Sequence, residues 1–91
     1  MANVIITLKI MPESPDSDLK AIETVAAGKI KAFGGDVAKV EQVPVAFGLK
    51  SVNMLFIMDE NKGSTEELEK DIATIPHVNS VDVIDVRRTF G

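Results

Sequence analysis

VPVAFGLKSVNMLFIM, residues 43–58, carries in its second half, Leu49 to Met58, the most apolar run of the chain. That half holds no Gly or Pro and is rich in β-branched, aromatic and Met side chains. Val52, Met54, Phe56 and Met58 share one face at period two, while Leu55 and Ile57 point to the other. A strand that is apolar on both faces is placed inside its sheet rather than at the edge. Ahead of it, Pro44 and Gly48 bracket Val45-Ala46-Phe47. Pro has no N–H to give a ladder and Gly tolerates positive φ, so the bracketed residues read as a turn. That turn carries Phe47, one of only four aromatic residues in the chain.

Working back from the central strand, Asp36 to Val43 is a weaker strand. Ala38 and Val40 alternate with Lys39 and Glu41, which predicts a wet face and an edge position. Upstream of that, Leu19, Ile22, Ala26, Ile30 and Phe33 recur at helical spacing. The helix is expected to open at Ser14-Pro15-Asp16, with Ser14 as N-cap and Pro15 in the first helical position. Gly28 weakens it by about 1 kcal/mol relative to Ala, and Gly34-Gly35 ends it. The chain begins with another strand, where Val4, Ile6, Leu8 and Ile10 alternate with Asn3, Ile5, Thr7 and Lys9 until Pro12 stops it.

Forward from the central strand, Asp59 to Gly63 is a polar turn. Ser64-Thr65-Glu66-Glu67 fits a capping box with Ser64 as cap and Glu67 reaching back. Leu68, Ile72 and Ile75 then form the buried stripe of a short helix, Glu66 and Lys70 add a pair at i,i+4, and Pro76 ends it. Val81 and Val83 begin a last strand. Its apolar phase shifts to Ile84 and Val86, which predicts a bulge or a partly covered second face.

The order is βαββαβ. The expected solution is α+β and ferredoxin-like: a four-stranded antiparallel sheet in the order 4-1-3-2, with both helices on one face. In that topology the Phe47 hairpin and the end of strand four, with Arg87 and Arg88, lie at opposite ends of the sheet. Strands of this length separate those ends by roughly 20–30 Å. Phe47 and the arginines therefore cannot converge on one small substrate, but both can touch one large partner.

Composition narrows the classes of function. The 91 residues are 45% hydrophobic and 26% charged, which suits one domain over residues 1–91 with a modest core. No apolar run approaches the roughly 20 residues of a membrane helix. Met1-Ala2-Asn3 leads into strand-like sequence with no basic leader, so a cytoplasmic protein without membrane contact is expected. The absence of Cys excludes disulfides, iron–sulfur ligation and thiol catalysis. A net charge of −4 argues against direct nucleic-acid binding, which needs a basic face for phosphates.

Little in the sequence is built for covalent chemistry, and no catalytic residue and no cofactor is assigned. His77 is the only histidine; it sits in the Pro76-His77-Val78 turn without a second ligand. Asp59-Glu60-Asn61 lacks the spacing of a Ca²⁺ loop and reads as a solvated turn. Gly34-Gly35 follows a helix instead of opening one, so it cradles no phosphate. Two features remain. Phe47-Gly48 is either hairpin geometry with the ring folded onto the core, or an exposed apolar anchor. Arg87-Arg88 is either a solvated basic tail, or a cation aimed at phosphates, carboxylates or a metal site.

The run VPVAFGLKSVNMLFIMDENKGSTEELEKDI, continuing to VNSVDVIDVRR, resembles the guanine-nucleotide exchange domain of the translation elongation factor 1-beta family. The opening strand followed by MPESPD is similar to the short archaeal form, and the likeness covers essentially the whole chain. The resemblance implies a guanine-nucleotide exchange factor. Such a factor binds the GTPase elongation factor 1-alpha, speeds GDP release and needs no covalent chemistry. It implies that Phe47, with Gly48, contacts the GTPase. It implies also a basic residue near the C-terminus that enters the GTPase's Mg²⁺ site. That residue is a penultimate Lys in the eukaryotic pattern, and Arg88, beside Arg87, stands in register here. The free protein is expected to be a monomer. A small-molecule-binding regulatory module on the same fold is the alternative; an acylphosphatase-like enzyme is disfavoured because MPESPD carries acids where an anion would sit.

Overall fold

The computed structural model describes residues 2–62 and 65–90. The elements are β1 (Ala2–Pro12), α1 (Leu19–Phe33), β2 (Asp36–Pro44), β3 (Lys50–Asp59), a 3₁₀ turn (Glu60–Lys62), α2 (Glu66–Ala73) and β4 (Val78–Phe90). The strands form one sheet in the order β2-β3-β1-β4, every neighbour antiparallel. This is the expected order read from the other edge.

The alternation read in β1 and β3 decides which face is buried. Antiparallel partners point the same way, and Ile6 stands opposite Phe56, Leu8 opposite Met54 and Ile10 opposite Val52. All six are buried, in one cluster with Ile22, Ala26 and Ile30 of α1 and with Leu68, Ile72 and Ile75 at α2. Both helices therefore cover the same face. Ile5, Leu55 and Ile57 point to the other face and are only half-buried. Lys29 Nζ bridges the two helices to Asp71 Oδ1 at 3.1 Å.

Gly34 and Gly35 end α1 for two different reasons. Gly34 takes the left-handed cap at φ 109° and donates its N–H to the Ile30 and Lys31 carbonyls. Gly35 is buried against β3: a Cβ there would stand 2.8 Å from Phe56 Cδ2 and 2.9 Å from Ile30 Cγ2. Only a residue without a side chain lets the chain leave the helix this close to the central ring.

The helix starts differ from expectation. Ser14 does not cap α1. Ser17 donates its N–H to the Ser14 carbonyl, and Ser14 donates its own to Ser17 Oγ, so residues 14–17 close a separate turn. The cap is Asp18, whose Oδ1 accepts from the Ala21 N–H at 3.2 Å. Two hydroxyls at i,i+3 satisfied each other locally, and the next acid took the helix end. At α2, Ser64 lies outside the described residues. Thr65 occupies the cap position without a side-chain cap bond, and its Oγ1 instead donates to Glu69 Oε2 at 3.0 Å.

Both outer strands are bulged. In β2, Ala38 is skipped in the pairing with β3, which turns Val37 and Val40 to the same side. In β4 the skip falls at Ile84, where the apolar phase shifts, so that Val83 and Val86 both share the helix side. β2 is exposed along its whole length, more fully than one wet face predicts. Edge position explains this, although α1 reaches it at one point, where Gln42 Nε2 donates to Glu23 Oε1 at 3.4 Å. Lys39 and Glu41, paired at 2.6 Å, put charge on the edge and oppose pairing with another chain. Glu41, through its hydrogen bond and then its charge, holds the Lys39 ammonium above its ordinary value.

Hydrogen exchange checks this distribution of packing. Amides of Leu55–Met58, between two strands and under the helices, are expected to open last, and those of Asp36–Val40 well before them. Equal protection in the two segments would mean that β2 opens only with the whole sheet.

Candidate functional site

The β2–β3 connection closes tightly. The Leu49 N–H donates to the Ala46 carbonyl and the Val45 N–H to the Leu49 carbonyl, both at 2.9 Å. Phe47 (φ 54°) and Gly48 (φ 78°) are the two central residues. Positive φ at both positions is the type I′ pattern, which suits the twist of a hairpin and favours Asn-Gly or Gly-Gly. Gly48 fits. Phe47 does not: a bulky residue in the left-handed region costs about 1 kcal/mol. Its ring offsets none of this, because the residue is 95% exposed. The largest apolar side chain of the tip thus stands in water on a strained backbone. The Pro15 turn is its neighbour: a Cβ on Gly48 would stand 3.8 Å from the Pro15 ring.

Arg87 and Arg88 sit at the other end. Arg87 stands opposite Ile5 and Arg88 opposite Val4, so they project to opposite faces. On the open face, Arg87 Nε donates to Asp85 Oδ2 at 3.0 Å. On the helix side, Arg88 bonds through Nε, at 3.1 Å, and through Nη2 to Glu60 Oε2. Six residues of strand separate the level of Val4 from that of Ile10, which is about 20 Å, and the Phe47 hairpin lies beyond Ile10's partner Val52. The longest dimension of the molecule is 42 Å. The structure thus keeps Phe47 and Gly48 apart from the arginines, and separates the two arginines by face.

A depression of about 590 Å³ adjoins Arg88, with Val4, Ile6 and Val86 beneath and Glu60, Asn61 and Thr65 around it. α2 starts at this end, with Thr65 on the rim, and its eight residues leave the sheet beneath the depression open. Val86 therefore stays 58% exposed although it lies on the helix side. From residue types alone Glu60 is part of a solvated turn. Its neighbourhood was readable from topology: β3 and β4 both run antiparallel to β1, so the residue just after β3 emerges beside the end of β4.

A second open groove of about 600 Å³ runs between α1 and α2, lined by Lys29, Phe33, Leu68 and Asp71 among others. Among the described residues no three His, Cys, Asp or Glu side chains cluster to hold a metal ion. His77 takes φ 71° in its turn, where its carbonyl accepts the Glu13 N–H and Nδ1 lies 3.8 Å from Glu13 Oε1. No helix among the described residues is long and apolar enough to cross a membrane.

Residues 5–89 match the family described as the EF-1 guanine nucleotide exchange domain. The chain is 42% identical over 88 residues to elongation factor 1-beta of Methanobrevibacter smithii, spanning 97% of this chain and 98% of that protein. It is 38% identical to elongation factor 1-beta of Methanothermobacter thermautotrophicus, with the same coverage. In backbone it is similar to the C-terminal domain of the MgtC protein from Mycobacterium tuberculosis, with a TM-score of 0.67 and 9% identity over 94% of this chain and 87% of that one. It is similar also to the ACT domain from GTP pyrophosphokinase of Chlorobium tepidum, with a TM-score of 0.62 and 14% identity over 90% and 99%. At such identities the last two likenesses speak to fold alone.

Proposed function

The chain belongs to the EF-1 guanine nucleotide exchange domain family, and from that premise we propose how it acts: as one exchange domain on elongation factor 1-alpha during translation elongation, gripping the GTPase at two separate points. Phe47, presented by Gly48, docks at one end. A cation, Arg88, works at the other, with Arg87 in a lesser role. The observation that carries this reading is the Phe47 ring, exposed on a backbone that favours other residues. Strain and exposure together in one aromatic side chain suit an anchor for a partner and have no use within the fold.

The chemistry required is binding alone. Mg²⁺ bridges a nucleotide's phosphates to its GTPase. A guanidinium brought alongside repels the metal and loosens GDP. The factor needs only to hold the nucleotide-free GTPase more tightly than the GDP form, and linkage makes nucleotide and factor antagonists. No covalent step, cofactor, nucleic acid or membrane enters. A monomer that stays in the cytoplasm meets the requirement, since the two contact points are at the ends of one sheet. The rival reading, a small-molecule-binding regulatory module on the same fold, rests on the fold alone.

The test uses elongation factor 1-alpha of the same organism, loaded with fluorescent GDP and chased with excess GTP. Substoichiometric amounts of this protein are expected to accelerate release catalytically, because the factor leaves when nucleotide rebinds. No acceleration at any ratio would end the exchange reading.

A further inference from the structure

Arg88 is held by a carboxylate that comes from the end of another strand. Its Cα lies on β4 level with Val4, whereas the carboxylate it bonds belongs to Glu60, just beyond the end of β3. β1 runs between those strands, so β3 and β4 are two strand spacings apart, roughly 10 Å. For both Nε and Nη2 to donate to the one oxygen, Glu60 Oε2, the two side chains meet over β1, on the Val4 and Val86 side of the sheet. The carboxylate's side chain is 30% exposed and that of Arg88 is 64% exposed, so the pair is anchored on the Glu60 side and free to open on the Arg88 side. In this arrangement the guanidinium is already paired with a carboxylate, and that pairing competes with anything docking at the end of the sheet.

We infer that Glu60 is a positioning residue for the exchange step: it latches Arg88 across β1, and the pair must open before the guanidinium reaches the metal site of a bound GTPase. The inference rests on the reading of Arg88 as the displacing cation. The latch is weak by construction. Partly exposed ion pairs are worth little, so opening is an accessible equilibrium that dilutes the competent form without abolishing it. Docking at the Phe47 end, far from the pair, is indifferent to whether it is open. The latch therefore acts on the rate within the complex and not on the affinity that assembles it.

The measurement is GDP release from elongation factor 1-alpha across a range of factor concentrations, with wild type, Glu60→Gln, Glu60→Asp, Arg88→Ala and the double variant Glu60→Gln/Arg88→Ala. Gln keeps the shape of Glu and drops the charge, leaving a weaker neutral acceptor. Glu60→Gln is expected to raise the rate at saturating factor by about two- to fivefold, with little change in the half-saturating concentration. Glu60→Asp, which keeps the charge on a shorter arm, should fall between Gln and wild type. In the Arg88→Ala background the Gln substitution should do nothing, because there is no cation left to release. A Glu60→Gln protein that is slower than or equal to wild type overturns the latch, as does an equal gain with and without Arg88. If Arg88→Ala alone leaves the acceleration intact, the cation reading fails first and the latch falls with it. Loss of acceleration in Arg88→Ala without a gain in Glu60→Gln removes the latch alone.

Discussion

Arg88→Ala is expected to abolish most of the acceleration of GDP release, by about 30-fold or more, while leaving measurable binding to the GTPase. Truncating one member of a desolvated charge contact costs on the order of 2 kcal/mol or more, which is that factor. Binding survives because the Phe47 end docks independently, some 20–30 Å away. Arg87→Ala is expected to do much less. It lies on the opposite face, tied to Asp85 two residues back on its own strand, and a single approach to the metal admits only one of the two faces. Mg²⁺ supplies an internal control. Chelating it should shrink the difference between wild type and Arg88→Ala, because the ion that the guanidinium displaces is already gone. Full activity in both arginine variants would leave the partner assignment standing and remove the displacement mechanism.

The order of the strands was legible because βαββαβ with right-handed crossovers leaves few sheets to choose from, and the apolar faces agree with it. Val52, Met54, Phe56 and Met58 on one side with Leu55 and Ile57 on the other demand neighbours on both edges of β3, and β1 is the one strand apolar enough to supply the buried pairings. The β4 bulge was legible too, as a phase shift at Ile84. Helix starts were not. Ser14-Pro15-Asp16 has every residue type of an N-terminus, yet Ser17 and Asp18 offer the same chemistry three and four residues later. Propensity cannot decide between hydroxyls that bond each other and hydroxyls that bond a helix end. The site divides in the same way. Phe47 and the arginines stand out by residue type and by topology. The partner of Arg88 is set by how two strand ends converge, and that depends on two side chains meeting over β1, which no linear pattern encodes.

Phe47→Asn is expected to separate stability from function most sharply. It creates an Asn-Gly dipeptide at the centre of a type I′ turn, the pair that such a turn prefers, and relieves a bulky residue at φ 54°. The folded protein should gain up to about 1 kcal/mol, which for a chain of this size raises Tm by about 4–8 °C. No packing is lost in exchange, since the ring is 95% exposed. GDP release should nevertheless fall by about tenfold or more, because losing an aromatic anchor that the partner buries costs about 2 kcal/mol. The loss should appear in the half-saturating concentration of factor, the parameter that the Arg88 end leaves largely alone. Phe47→Ala should match it in exchange and show little change in Tm, because Ala also resists positive φ. Scanning calorimetry of the three proteins beside the GDP-release assay reads both effects. A melting point that drops in Phe47→Asn would mean that the ring supports the hairpin after all. A stabilised variant with full exchange activity would mean that the strained tip serves something other than the GTPase.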